Sequence, residues 1–158
     1  MSDEANKERR SPRAASLPFG QVLEIFERDR ERHMLAGPST PQDIAHVEKA
    51  LGVVLPEFFR AFLLRIGSGL FYNGHEIFGP MRCMVHDIEL VPDVLSVAHR
   101  LREEGKLAPG FVPLHRARGV IHLLDARHVV GGSVIPAGGG AAHPDLAAFL
   151  EVVVLPRQ

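Results

Sequence analysis

Between Ser39 and Gly69 the apolar positions recur at helical spacing in two runs that meet at one corner. In the first run Ile44, Val47 and Leu51 share a face. Thr40 suits the N-cap, Pro41 the first helical position, where a missing N–H costs nothing, and Asp43 the first turn, where the helix dipole favours a carboxylate. Gly52 stands where a left-handed terminal residue is wanted, so this helix stops there. Pro56 restarts the pattern as a first-turn proline. Phe59, Phe62, Leu63 and Ile66 then form one apolar stripe, with Arg60 and Arg65 mainly off it. Gly67, Ser68 and Gly69 lack the propensity to continue and read as a terminating turn. Glu48 lies beside the Leu55-Pro56 corner, where its carboxylate can accept backbone N–H groups at the start of the second helix. That is a structural role rather than a catalytic one.

The flanking text supplies the other elements. Residues 1–16 are polar and charged with little to bury, which predicts a mobile tail ahead of a single domain over 17–158. Leu17 to Met34 reads as one covering helix, with Phe19, Val22, Leu23, Phe26 and Met34 inward and opposite charges at helical spacing outside, ended by Gly37 and Pro38. Asn73-Gly74, between two short β-like segments, predicts a tight hairpin. MRCMVHD follows as a strand or loop, and Val94, Leu95, Ala98, Leu101 and Leu107 mark a helix ending near Gly105. Strands are expected at Phe111 to His115, Gly119 to Asp125 and Ser133 to Ala137, with Pro113 at a sheet edge or in a bulge. Asp145 caps a last helix whose inward stripe is Leu146, Phe149, Leu150 and Val153. The fold class is α+β, a small, mostly antiparallel sheet with helices packed around it.

Charge and composition narrow the function. A chain of 158 residues with formal net charge -1 has no overall field to hold nucleic acid phosphates or an anionic membrane. Cys83 is the sole cysteine, which excludes an internal disulfide and suits a reducing compartment. No apolar run approaches the roughly 20 residues that span a bilayer, and the N-terminus is charged, so the expected location is the cytoplasm. Nine histidines invite a metal site, yet there is no HExxH, paired CxxC or EF-hand loop, and Cys83 with His86 is an isolated pair. No metal or cofactor is expected. Cys83 beside His75 or His86 could make a nucleophile, but one cysteine in an apolar segment reads first as a small buried hydrophobe. Ser68 lacks the full nucleophile-elbow pattern. Gly138 to Gly140 lack the lysine of a phosphate loop and read as a flexible loop. No catalytic residue is assigned, and the chain is not expected to be an enzyme.

Ile44, Glu48, Leu51, Gly52, Leu55, Pro56, Phe59, Phe62, Leu63 and Gly67 together resemble the signature of the SMI1/KNR4 (SUKH) family, and the resemblance extends over residues 39–154. The turn after the second helix reads Gly-Ser-Gly instead of the commoner Asn-Gly-Gly. The turn Arg116-Ala117-Arg118-Gly119 is basic where relatives often carry acidic or glycine-rich text. The resemblance implies a binding protein: bacterial members are mostly immunity proteins that neutralise a cognate toxin, and fungal members act as regulatory scaffolds. The expected function is therefore occlusion of a toxin domain, with a regulatory adaptor as the alternative. The expected partner is a protein, not nucleic acid or membrane. The contact residues would be Tyr72, Asn73, His75, Glu76, Arg82, Arg116 and Arg118, which combine an aromatic anchor with steering charges.

Overall fold

The computed structural model describes residues 17–156, and the tail expected at 1–16 lies outside the described residues. Helix α1 (Phe19–Arg28) is followed by a single 3-10 turn (Arg30–Arg32) and strand β1 (His33–Gly37). Helices α2 (Pro41–Leu51) and α3 (Glu57–Arg65) come next, then β2 (Ser68–Phe71), β3 (His75–Ile77), β4 (Cys83–Val85) and β5 (Ile88–Val91). Helix α4 (Val94–Glu103), strands β6 (Phe111–Ala117), β7 (Val120–Asp125) and β8 (Ser133–Pro136), and helix α5 (Leu146–Phe149) complete the chain, with a widened helical turn at Leu150–Val154. Six strands form one antiparallel sheet in the order β1-β2-β3-β6-β7-β8, and β4 pairs with β5 separately.

The corner between α2 and α3 is built as the sequence indicates. Thr40 Oγ1 accepts the Asp43 N–H at 3.1 Å while Asp43 Oδ2 accepts the Thr40 N–H at 3.0 Å, closing a capping box. Gly52 ends α2 in the left-handed region at φ 71. Pro56 stands one position before the first residue of α3. Glu48 Oε2 accepts both the Leu55 N–H at 2.8 Å and an Arg60 Nη2–H at 3.0 Å. The free N–H groups of Glu57 and Phe58 donate to the carbonyls of Val129 and Val130, so a loop from the far end of the chain completes the cap of α3.

Three expectations are corrected. The first helix does not run to Met34: it stops at Arg28, and His33–Gly37 instead pairs with β2, leaving Met34 48% exposed. The charged run after Phe26 favours a helix locally. Strand β2, however, offers an edge that approaches closely only because it carries glycines, and that tertiary pairing overrides propensity. A Cβ on Gly67 would run into the Gly37 carbonyl, and one on Gly69 into the Met34 carbonyl. For the same reason Gly67-Ser68-Gly69 is not only a turn. Gly67 turns the chain at φ 100, and Ser68 and Gly69 are buried members of β2. In the last helix Val154, not Val153, faces inward, because the Leu155 N–H reaches the Leu150 carbonyl and the wider turn rotates the stripe by one residue.

Pro113 lies in an interior strand, at the register shift between Pro113 and His115, so the bulge and not the edge accommodates it. The MRCMVHD text forms β4 and the start of a second hairpin, turning at His86 and Asp87 with φ 52 and 65. That hairpin packs against β1 and β2, and the Cys83 thiol donates to the Met34 carbonyl at 3.3 Å. At the other edge Val134 and His143 exchange both backbone hydrogen bonds and Pro136 has no N–H, so little of β8 is open to another strand.

Candidate functional site

Residues directly opposite in an antiparallel pair share a face, so the register divides the sheet. One face carries Phe71 and Ile77, and against it pack Phe26 of α1, Phe62 of α3 and Phe149 of α5. The opposite face carries a continuous row: Met34 opposite Leu70, Leu70 opposite Glu76, Glu76 opposite Arg116, and Arg116 opposite Ile121. Every member is half-buried or exposed. At its centre Arg116 grips Glu76 with two hydrogen bonds, Nε to Oε2 at 3.0 Å and Nη2 to Oε1 at 2.7 Å, and its guanidinium lies 5.7 Å from the Phe78 ring centre. A bidentate pair of this kind fixes both side chains, so the row presents a rigid, charge-neutral polar centre flanked by apolar side chains.

The β2–β3 and β6–β7 turns meet at one end of this sheet. Glu76 pairs with Arg116, so the residues before Glu76 run alongside those after Arg116. This brings Asn73, His75 and Arg118 together beside the Glu76–Arg116 pair. Asn73 and Arg118 are exposed and adopt left-handed backbones, with φ 59 and 52. Tyr72 shares that turn at φ 50, but its ring points inward: the hydroxyl donates to Asp29 Oδ2 at 2.8 Å and the N–H to His33 Nδ1 at 3.3 Å. Arg32 lies over the ring face at 4.7 Å. Burial and the Asp29 carboxylate together hold the phenol above its ordinary range, and the phenol's hydrogen bond holds Asp29 below its own. Tyr72 thus joins the turn to α1 and offers a partner only part of its surface. His75 faces the helices, half-buried, and burial with the Arg118 charge holds it below the usual imidazole value.

Arg82 stands apart. It is exposed on the separate β4–β5 hairpin, 3.9 Å from Glu89. Met34, Leu70 and Ile121 are absent from the sequence-based set. Met34 lies in a charged run with helical spacing that gives no sign of a strand, and Leu70 and Ile121 acquire their shared face only through the pairing of strands far apart in sequence. Alternation along Val120–Asp125 marks Ile121 as opposite in facing to His122, which is the one local signal for it.

The alternative chemistries find little support in the geometry. Cys83 is 1% exposed, its thiol is held by a backbone carbonyl, and burial pushes it up from its ordinary value, away from a nucleophilic thiolate. Ser68 is buried in β2 against Gly79. Among the described residues no group of three or more His, Cys, Asp or Glu side chains is placed to hold a metal ion, and no helix is long and apolar enough to cross a membrane.

An α+β domain with a two-faced sheet, one face sealed by helices and the other partly open, is the class that these elements define. The family model for SMI1 / KNR4 (SUKH-1) matches residues 38–147, and the chain belongs to that family. No curated protein matches it.

Proposed function

We propose that this chain is an immunity protein that binds a cognate toxin domain and occludes its active site, and that it is not itself an enzyme. Family membership is the observation that carries the reading. The row Met34, Leu70, Glu76, Arg116 and Ile121 supplies the surface, with Asn73 and Arg118 at its corner. Apolar side chains around a fixed ion pair suit a protein partner, because desolvating them on contact is favourable while the paired charges keep their hydrogen bonds. Arg118 at the rim adds a charge that steers encounter. His75 and Tyr72 support this corner from behind, and Arg82 would reach the partner only if the contact extended onto the β4–β5 hairpin.

The test is capture of tagged protein from the native host, followed by expression of each captured protein's terminal domain with and without this chain. The reading expects one secreted, multidomain protein at 1:1 stoichiometry whose terminal domain stops growth unless this chain is present. Met34→Glu and Arg118→Glu, both at exposed positions, should weaken that rescue without changing the melting temperature. Rescue undiminished by both variants would remove the docking face. Capture of housekeeping proteins alone would replace immunity by a regulatory adaptor.

A further inference from the structure

Four imidazoles form an unbroken row on the helix-covered face of the sheet. His75 of β3 stacks on His115 of β6 with ring centres 5.1 Å apart. His115 lies 5.4 Å from its cross-strand partner His122, and His122 lies 6.2 Å from His143. Phe149 of α5 closes over the row, its ring 5.0, 4.8 and 5.3 Å from those of His115, His122 and His143. His115 is 1% exposed, and Nδ1 of both His115 and His122 is buried with no hydrogen-bond partner. His75 and His143, at the two ends, are half-buried, as is His122.

The contact between His75 Nδ1 and His115 Nε2 is 2.9 Å, so one nitrogen donates and the other accepts. A second proton on this contact leaves two donors facing each other, so His75 can be charged with the contact intact only while the buried ring carries its own proton on Nδ1, where nothing accepts it. One charge beside the row opposes its protonation. Arg118, from the β6–β7 turn, faces His75 and repels its protonated form. Helix α5 presents the uncharged Phe149, and Glu151 beyond it accepts the Leu17 N–H at 3.0 Å. On the α1 side, Asp29 is held by Tyr72 and His33 continues the same face beyond Phe71.

From this geometry we propose that the histidine row is a proton-operated latch, closed when all four rings are neutral, which releases α5 and the following turn from the sheet when the row takes up protons. Burial is the main cause that holds all four rings below the ordinary imidazole value, His115 at about 3, with the neighbouring imidazoles adding to this for His115 and His122. The sign follows. The released state binds more protons than the closed one, so closure is complete above the ordinary value of about 6.5 and is lost progressively as pH falls below it. The latch is independent of the partner reading.

Hydrogen exchange followed residue by residue from pH 7 to 4, on the full chain, tests it. Protection factors at Phe149 and Leu155, whose N–H groups bond Asp145 and Leu150, should fall while β7 amides such as Leu124 stay protected. Uptake of a single proton gives at most a tenfold fall per pH unit, so release driven by several imidazoles should exceed about tenfold per unit. In His75→Gln/His143→Gln, both at half-buried positions, the fall should become shallower. Loss of protection at Phe149 and Leu124 together, or a slope unchanged in the double variant, would overturn the latch. So would ring signals of His75 and His143 titrating at the ordinary value with Phe149 still protected.

Discussion

Removing the Glu48 carboxylate should loosen the α2–α3 corner by an amount the contacts define. Its Oε2 holds the N–H of Leu55, a residue 1% exposed, and one Arg60 guanidinium nitrogen, which also donates to the Leu55 carbonyl at 3.1 Å. A hydrogen bond to a charged group contributes roughly 1.5–3 kcal/mol, and orphaning a buried N–H costs about 1–3 kcal/mol. The Arg60 contact counts for less: with side chains 35% and 22% exposed it is partly screened, worth about 0.5 kcal/mol. Glu48→Ala should therefore destabilise by about 2 kcal/mol, which for a chain of this size lowers Tm by roughly 4–8 °C. Glu48→Gln keeps an oxygen for Leu55 and should lose about half as much, and Arg60→Ala about 0.5 kcal/mol. Urea unfolding of the three variants and of the Glu48→Ala/Arg60→Ala double variant measures each value and the coupling. If Glu48→Ala falls within about 0.5 kcal/mol of the parent, or if Arg60→Ala costs as much as Glu48→Ala, the carboxylate does not organise the corner through Leu55.

Gly67→Ala should cost more than about 3 kcal/mol in urea unfolding, since it combines a left-handed backbone with a clash against the Gly37 carbonyl. Gly52→Ala, left-handed but in open space, should cost only about 1 kcal/mol, and equal losses would refute the close-approach argument. Cys83 should react with a thiol reagent at neutral pH only as fast as the chain opens, and mild denaturant should accelerate it strongly. Rapid labelling of the folded protein would contradict its burial. Asp125 is 4% exposed and accepts both the Arg127 N–H and its guanidinium, with that side-chain hydrogen bond the largest cause holding its carboxyl below the usual range. The contribution is present above the ordinary carboxylate value and lost as pH falls through the depressed one. Asp125→Asn should therefore destabilise by about 1–2 kcal/mol at pH 7, with the gap to the parent narrowing in acid.

The features legible in the sequence are local ones, and apart from the widened turn at the last helix the rest depends on segments far apart in the chain. The capping box at Thr40, the left-handed Gly52 and the role of Glu48 all involve groups within about two helical turns, so residue types and spacing contain the argument. The turn at Arg118 and Gly119 also implies its own register: a two-residue hairpin sets Arg116 opposite Ile121 and His115 opposite His122, and the structure has both pairs. The histidine pair was thus within reach of the sequence, but His75 and His143 join it through β3 and the return loop, which no local pattern connects. Likewise β1 exists because glycines 67 and 69 admit it, a condition written some 30 residues away from the segment it converts.

The two faces of the sheet also explain why the candidate contact residues divide as they do. In a strand, neighbours point to opposite sides, so His75 and Glu76 cannot both meet the same partner across a sheet face. The pairing sends Glu76 to the open side with Arg116, and His75 to the helix side with His115. Only at the turn, where Asn73 and Arg118 leave the alternation, can one partner touch groups associated with both. A protein bound to the open face would therefore feel the state of the histidine row only through this corner, by way of Arg118, whose charge acts on His75. Substituting Arg118 should for that reason alter both partner binding and the acid response of His75, whereas substituting Met34, three strands from β6 on the open side, should alter binding alone.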